Sequence, residues 1–170
     1  MQRRTILAAA PLGLLSFSSA RNALARPRHL SARHVRDWTD AYADAWIAKD
    51  ADAAALLFTE DAIYEAIPGV GEQTFVGREA IRQYWVNITA PQSNVTILPG
   101  EPIVNGERGV VELWVTMRLP PVNPAGDQMV TLIETNILCF DRAGLCSRNV
   151  EYWNLQIGEL APPAGWGEPC

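Results

Sequence analysis

The amino-acid sequence predicts an α+β domain, and two patterns carry this prediction. Up to about residue 88, apolar residues recur every three or four positions, which is the spacing of one helix face. After Asn94, apolar and polar residues alternate, as they do in strands that bury only one face. Most of the sheet is therefore expected to follow the helices along the chain.

Three helices are predicted in the N-terminal half. The first begins at Val35, since apolar and charged residues from there on separate onto two faces. Its apolar face is Val35, Trp38, Tyr42, Ala45 and Trp46, and its polar face is Arg36, Asp40, Asp44 and Lys49. A second, short helix fits residues 52–58. A third follows Gly77, with an apolar face of Ile81, Tyr84, Trp85 and Ile88.

Five strands are predicted. The first spans residues 62–67 and ends at the turn pair Pro68-Gly69. Four more span residues 94–98, 109–119, 128–140 and 145–157, separated by turns rich in Pro, Gly and Asn. In the second of these, Leu113, Val115 and Met117 alternate with Glu112, Thr116 and Arg118. One face of the sheet is therefore expected to lie buried under the helices.

The N-terminal segment indicates export. Residues 1–36 hold seven arginines and no acidic residue, and the pair Arg3-Arg4 precedes an uncharged run over residues 5–20. This layout is typical of a secretory signal, and the paired arginines resemble a twin-arginine signal. Ala23 and Ala25 offer a cleavage site, so the mature chain is expected to begin near Arg26, in the periplasm or secreted. A mitochondrial transit peptide is the alternative, because such peptides are also rich in arginine.

The expected organisation is a signal peptide at 1–25, a lead-in at 26–34, one domain at 35–157 and a Pro/Gly-rich tail at 158–170. Removing three signal arginines leaves 14 − 3 = 11 basic residues against 19 acidic ones, a net charge of about −8. Nucleic acid and anionic membrane surfaces are therefore not expected as partners. No later segment is apolar for the roughly 20 residues that a membrane span needs.

Four motifs support a family resemblance: AWIAKDADAAALLFTEDAIYEA, GREAIRQYW, CFDRAG and VEYWN. In this order they resemble the SnoaL-like branch of the nuclear transport factor 2-like superfamily over nearly all of residues 35–157. The resemblance implies a cone-shaped, curved antiparallel sheet with three N-terminal helices on its concave side and an apolar pocket between them. It does not imply one activity, because the superfamily includes isomerases, dehydratases, cyclases, epoxide hydrolases and non-catalytic modules.

The ketosteroid isomerases of this superfamily provide a template for the pocket. Their tyrosine on the first helix falls at Tyr42, and their acid on a late strand falls at Asn136, an amide that donates hydrogen bonds but carries no titrating proton. Their base falls at Ala66, next to Glu65. The residue that defines the isomerase reaction is therefore missing, and ketosteroid isomerase activity is not expected.

Glu134 is the candidate for the missing proton carrier. It lies two residues before Asn136, so both side chains share one strand face with Leu132, Leu138 and Phe140. Burial there would raise its pKa and suit it to general acid or base chemistry. Glu112 is a second candidate. The pocket wall is expected to comprise Trp46, Tyr64, Ala66, Trp85, Trp114 and Leu138, although Tyr42 as a core residue and a solvent-facing strand remain alternatives.

No cofactor and no metal are expected. Both histidines, His29 and His34, precede or begin the first helix, and no clustered ligand spacing, phosphate loop or dinucleotide motif occurs. Three functions stay open: an acid/base enzyme acting on a small hydrophobic molecule, with Tyr42 and Asn136 as oxyanion donors; a binding protein with the same pocket; and a dimerisation module. The resemblance also suggests a homodimer, because sheets of this superfamily often pair through their convex faces.

The cysteines allow more than one pairing. Aligning Phe140 with Leu145 across the turn sets Cys139 opposite Cys146, so a cross-strand disulfide is one option. Exported proteins meet an oxidising compartment, and a bond that uses Cys170 is the favoured alternative, since a cysteine in the tail has little structural reason to exist otherwise.

Overall fold

The computed structural model describes residues 30–120 and 128–168. Helix α1 (Ala32–Ala48) starts where the side chain of Ser31 accepts a hydrogen bond from the backbone of His34, and it ends at Lys49, whose φ is 56°. Helix α2 (Ala51–Leu56) is capped in the same way by Asp50. Helix α3 (Arg78–Thr89) follows Gly77. All three predicted helices are therefore present.

Seven strands form one curved, unclosed sheet in the order β2-β1-β7-β6-β5-β3, with β4 also paired to β5. Their bounds are β1 Phe58–Glu65, β2 Thr74–Val76, β3 Ser93–Pro99, β4 Ile103–Asn105, β5 Arg108–Leu119, β6 Gln128–Phe140 and β7 Cys146–Ile157. The pair β1–β7 is parallel and the other pairs are antiparallel. The α+β class predicted from the sequence is confirmed, with a sheet that is mixed.

The differences from the sequence prediction lie at the N-terminal edge of the sheet and in its short strands. Strand β1 begins at Phe58, which the sequence pattern assigns to the second helix. Phe58 pairs with Cys146 on β7, and this tertiary pairing outweighs the local helical pattern. Strands β2 and β4 are not predicted, because three residues are too few to show a period.

The helices and the concave face of the sheet enclose the core. Leu113, Val115 and Met117 of β5 are buried beneath them, as the alternation predicted. Close packing is enforced at Gly109, where an added Cβ would lie 2.8 Å from a methyl carbon of Val35. Helix α1 therefore lies directly against β5 and closes the sheet at that end.

The C-terminal tail lies along the outer face of the sheet. The indole nitrogen of Trp114 donates to the backbone oxygen of Leu160 at 2.8 Å, and its ring meets that of Trp166 at 5.6 Å. The backbone of Glu101 also donates to the oxygen of Gly167 at 2.7 Å. Trp114 is thus buried under the tail, and the prediction that it lines the pocket is wrong. It alternates with Leu113 and Val115, so it faces away from the helices.

The predicted alignment of the two cysteines is also wrong. A bulge lies between Cys139 and Phe140, so Phe140 pairs with Cys146 while Cys139 pairs with Arg148. Both thiols are free, and burial raises the pKa of Cys146. Cys170 lies outside the described residues, as does the expected signal segment. Among the described helices, none is long and apolar enough to cross a membrane.

Candidate active site

A cavity of about 490 Å³ lies between α1, α3 and the concave face of the sheet. Six of the residues proposed from the sequence line it: Tyr42, Trp46, Tyr64, Ala66, Trp85 and Glu134. The other walls are mostly apolar and come from Met117 and Leu119 on β5, Leu132 on β6 and Leu155 on β7. A pocket of this size and composition is suited to a small hydrophobic molecule.

Glu151 on β7 is the most densely hydrogen-bonded group in the cavity. Its Oε1 atom accepts hydrogen bonds from the hydroxyl of Tyr42 at 2.8 Å, from the hydroxyl of Tyr64, and from the amide of Asn149 at 3.1 Å. The donors come from α1, β1 and β7, so three elements fix one carboxyl oxygen. Such donors favour the ionised carboxylate.

Glu134 on the neighbouring strand β6 has a different environment. Its Oε1 atom accepts one hydrogen bond, from the amide of Asn136 two residues along the same strand. Glu134 pairs with Trp153 in the sheet, while Asn136 pairs with Glu151, so the two glutamates are diagonal neighbours on the same face. Their side chains are 2% and 5% exposed, and both line the cavity.

The two carboxyl groups therefore differ in acidity. Burial raises the pKa of Glu151 to about 7, against its three hydrogen bonds, which lower it. Burial and then the charge of Glu151 raise the pKa of Glu134 well above its usual range, and the single bond from Asn136 opposes this shift. Two close carboxyl groups do not readily ionise together. When the pair holds one proton, the hydrogen bonds place that proton on Glu134 and the charge on Glu151.

The predicted oxyanion donors are engaged elsewhere. Tyr42 donates its hydroxyl proton to Glu151, and Asn136 donates one amide proton to Glu134 and does not line the cavity. Burial, followed by the charge of Glu151, raises the pKa of Tyr42 and Tyr64 well above the usual value, so both remain neutral donors. The structure brings Tyr42, Asn136 and Glu134 together. Tyr42 and Asn136 each make a hydrogen bond to one of the two carboxyl groups.

Three other predicted site residues lie off the cavity surface. Asn136 is 1% exposed and lies behind the carboxyl group of Glu134. Leu138 is fully buried in the core, and the prediction that it lines the cavity is wrong, because α1 closes over that end of the sheet. Glu112 is exposed on the outer face with Trp114, which excludes it as a cavity carboxyl.

Two polar residues of the cavity wall, Glu151 and Tyr84, are not among the site residues predicted from the sequence. Glu151 belongs to the motif VEYWN, and strand alternation places it on one face with Asn149 and Trp153. This was the available signal, but it required knowing which face of β7 is buried. Tyr84 was assigned to the apolar face of α3, yet it lines the cavity, and its hydroxyl makes no hydrogen bond to the described residues.

The polar wall contains unsatisfied atoms. Within residues 30–120 and 128–168, the Oδ1 atoms of Asn136 and Asn149 are buried and have no hydrogen-bond partner. Each such oxygen costs about 1–3 kcal/mol relative to one that is hydrogen bonded. Apolar residues would make a more stable wall, so the two asparagines are better explained by their hydrogen bonds to the carboxyl groups than by packing.

Comparison with known proteins places this site in a family context. The model of the SnoaL-like domain matches residues 39–149. A search of curated proteins found no significant match. Among solved structures, the fold is similar to SalBIII, an epoxide hydrolase/cyclase-like enzyme of pyran ring formation in the polyether salinomycin. The TM-score is 0.61 at 21% identity, over 74% of this chain and 96% of that one.

Two further solved structures have the same fold. One is a candidate SnoaL-like polyketide cyclase from Shewanella denitrificans OS-217, with a TM-score of 0.60 at 12% identity over 70% of this chain and 89% of that one. The other is a candidate aromatic ring hydroxylase from Novosphingobium aromaticivorans, with a TM-score of 0.57 at 22% identity over 74% and 92%. The family model covers more than half of the sequence, and the chain therefore belongs to the SnoaL-like domain family.

Proposed function

We propose that this protein is an acid–base enzyme that isomerises, cyclises or opens a small hydrophobic molecule without a cofactor. One observation carries the proposal: two buried carboxyl groups on adjacent strands face one apolar cavity, and they differ in their hydrogen bonds. Pairs of titratable groups whose environments separate their pKa values are typical of acid–base catalysis.

The roles follow from the hydrogen bonds. Glu151, ionised and held by three donors, accepts a proton from the substrate, while Glu134, protonated, donates one to it. In a ring closure, the donated proton goes to the departing oxygen and the accepted one leaves the attacking hydroxyl. In an isomerisation, Glu151 removes a proton from one atom of the substrate and Glu134 adds a proton to another, and the two atoms are a carbon and an oxygen or two carbons. One proton transfer from Glu151 back to Glu134, directly or through water, restores the starting state.

Tyr84 completes the proposed site. The residue lines the cavity, and its hydroxyl has no protein partner among the described residues. Burial, followed by the charge of Glu151, raises the pKa of Tyr84, so it remains protonated. Tyr84 therefore takes the role of free hydroxyl donor to a substrate oxygen that the sequence suggested for Tyr42. Tyr42, Tyr64 and Asn136 act as positioning residues through the carboxyl groups.

The comparisons support this class of chemistry by analogy. Two of the similar structures carry names of cyclisation or epoxide chemistry, although identities of 21% and 12% show only a common fold. A cavity of about 490 Å³ does not favour the dimerisation module, for which a filled core would be expected. A binding protein without turnover is the remaining alternative.

Export and self-association are further parts of the proposal. The paired arginines and apolar run of residues 1–25 support export to the periplasm or the medium. Exposed apolar side chains on the outer face, namely Leu98, Ile103 and Tyr152, support a homodimer. Sedimentation of the purified protein over a 100-fold range of concentration tests the homodimer. A monomer at every concentration would contradict it.

The activity is tested with compounds that report proton transfer directly. Hydrophobic cyclic ketones and hydroxy-epoxides are incubated with the protein in D₂O, and NMR follows deuterium incorporation and ring formation. Glu134→Gln and Glu151→Gln are each expected to slow turnover by about 10² to 10⁴-fold. Glu112→Gln, an exposed carboxyl on the outer face, is the matched control and is expected to retain full activity. Ligand binding by the wild type without any turnover would establish the binding protein instead.

A further inference from the structure

The cavity combines aromatic rings with acidic groups and lacks basic ones. Of the described residues that line it, the groups able to carry charge near neutral pH are Glu134 and Glu151, and none is Lys, Arg or His. Six lining residues are aromatic: Tyr42, Trp46, Tyr64, Tyr84, Trp85 and Trp153. A bound anion would meet no positive charge in the cavity. It would also lie close to Glu134 and Glu151, so one of the carboxyl groups would have to be protonated to accommodate it.

Three of these rings pack against one another nearly at right angles. The planes of Tyr42 and Trp46 meet at 89°, those of Tyr42 and Trp85 at 86°, and those of Trp46 and Trp85 at 74°. Tyr42 also stacks on Trp38 at 5.0 Å, so one of its two faces is already covered. The three rings line one cavity in three different orientations. The face of an aromatic ring carries partial negative charge and attracts cations.

The indole nitrogens strengthen this arrangement. Trp46 donates to the side chain of Gln92 at 2.6 Å, and Trp153 donates to the backbone of Ala66 at 2.8 Å, so both rings are held in place. The indole nitrogen of Trp85 is sealed from the cavity. An indole N–H that pointed into the cavity would repel a bound cation, and none of these three does so.

We infer that the cavity selects molecules bearing a positively charged nitrogen on a hydrophobic body, with aromatic ring faces and the Glu134–Glu151 pair as its cation site. The inference deepens the proposed function by naming a substrate class for the same cavity. A neutral molecule of the same shape would gain only burial of apolar surface. A cation gains in addition the ring faces and an ionised carboxylate in a site shielded from water.

Cation binding in this cavity depends on pH through the carboxyl pair. The titratable groups that face the pair are Tyr42 from α1, Tyr64 from β1 and Tyr84 from α3, and each stays neutral because burial raises its pKa. The neighbouring strand β5 contributes Met117 and Leu119, which do not titrate. Binding of a permanent cation therefore favours ionisation of Glu151 and releases a proton below its pKa of about 7.

The test compares two probes of one shape, phenyltrimethylammonium and tert-butylbenzene, by equilibrium binding to the wild type at pH 6 and pH 8. We expect the cation to bind at least tenfold more tightly at pH 8, and its affinity to fall severalfold at pH 6. The affinity of the neutral probe is expected to stay constant. Equal affinities at pH 8, or a preference that does not depend on pH, would overturn the inference without any variant being needed.

Variants assign the preference to the carboxyl pair. Glu151→Gln is expected to reduce the tenfold preference severalfold while the neutral probe still binds, and Glu112→Gln is expected to keep it. Glu134→Gln imitates the protonated Glu134 and is expected to keep the preference at pH 8; the wild-type pH series remains the test if Glu151→Gln does not fold. A preference that is undiminished in Glu151→Gln overturns the inference. Binding needs no turnover: an active enzyme without cation preference refutes only this inference, and a cation-selective but inactive protein refutes only the proposed function.

Discussion

The hydroxyl oxygens of Tyr42 and Tyr64 lie 2.9 Å apart, and both donate to the same oxygen of Glu151. The two tyrosines come from the first helix and the first strand, so the carboxyl group is held between two elements. Each hydroxyl carries one proton, and both protons are directed at one atom. The tyrosines therefore lower the pKa of Glu151 against the effect of burial.

Removing either donor should change the pH dependence of the reaction. Tyr64→Phe and Tyr42→Phe are each expected to raise the pKa of Glu151, which moves the rise of kcat/KM to higher pH and lowers the rate at pH 7 about tenfold. The full pH–rate profile measures this shift. Tyr152→Phe, on the exposed outer face, is the control. A reduced rate with an unmoved profile would contradict the positioning role.

Folding stability should fall as the pH rises through the range of the carboxyl pair. The pKa of Glu151 is higher in the folded chain, about 7, than the ordinary value of 4.5, so the folded state binds the proton more tightly. The stability from this proton is complete below about pH 4.5 and is lost by pH 7 and above, a change on the order of 3 kcal/mol.

Urea unfolding at pH 5, 7 and 9 measures this loss. The double variant Glu134→Gln/Glu151→Gln keeps the shape of both side chains without their ionisation, so its stability is expected to vary less with pH than that of the wild type. Glu112→Gln should leave the pH dependence unchanged. A double variant as sensitive to pH as the wild type would show that the buried pair does not ionise in this range.

Gly109 should be intolerant of even one added methyl group. In Gly109→Ala the new Cβ would lie 2.8 Å from Val35, a buried β-branched side chain with little freedom to move. Overpacking of this kind is expected to lower the free energy of unfolding by about 1–3 kcal/mol. Gly71→Ala, where no atom lies within 4 Å, is the matched control. Equal stability of the two variants in urea would contradict the close contact between α1 and β5.

The tail should stabilise the fold without affecting the cavity. Trp166→Ala removes a ring that covers Trp114 on the outer face, and a loss of about 1–2 kcal/mol is expected from the ring pair and its burial. Ligand binding should be unchanged, because the cavity lies on the other side of the sheet. Glu168→Ala is the control. A change in ligand affinity in Trp166→Ala would contradict this separation of roles.

The export proposal has a direct test. Replacing Arg3 and Arg4 by lysine is expected to leave the precursor in the cytoplasm, while the wild type is recovered outside it with Arg26 as its first residue. Cell fractionation and N-terminal sequencing measure both outcomes. Arg28→Lys, beyond the expected cleavage site, is the control. Unchanged export of the double lysine variant would contradict the twin-arginine route.

The sequence was sufficient for the fold because long amphipathic elements dominate it. Helices α1 and α3 and strands β5 and β6 show their periods over 12 to 17 residues, and each starts within three residues of its predicted start. Strand β1 was displaced by four residues, since its start depends on pairing with a strand more than 80 residues away. No local pattern contains that information.

The site could be predicted only in part, for the same reason. Tyr42, Glu134 and Asn136 were found from their positions within single elements. The hydrogen bond from Tyr42 to Glu151 could not be predicted in this way, because the register between β6 and β7 determines where Glu151 lies. The observed register differs by two residues from the one in which Phe140 would pair with Leu145. In that simpler register, Glu134 would face Glu151 directly. Trp114 was misplaced because its burial comes from the tail and not from the helices.

The parallel pairing of β1 with β7 determines when the site can form. Tyr64 and Glu151 are separated by 87 residues, and Tyr42 and Glu151 by 109, so their contacts rank among the least local in the chain. Contacts between residues so far apart in sequence form slowly, because the chain loses conformational entropy in closing the loop before the contacts stabilise it. A ribosome must finish the final strand before either tyrosine can meet its acceptor. Nascent chains that stop short of it have an open hydrophobic sheet edge, which makes them targets for chaperones and proteases.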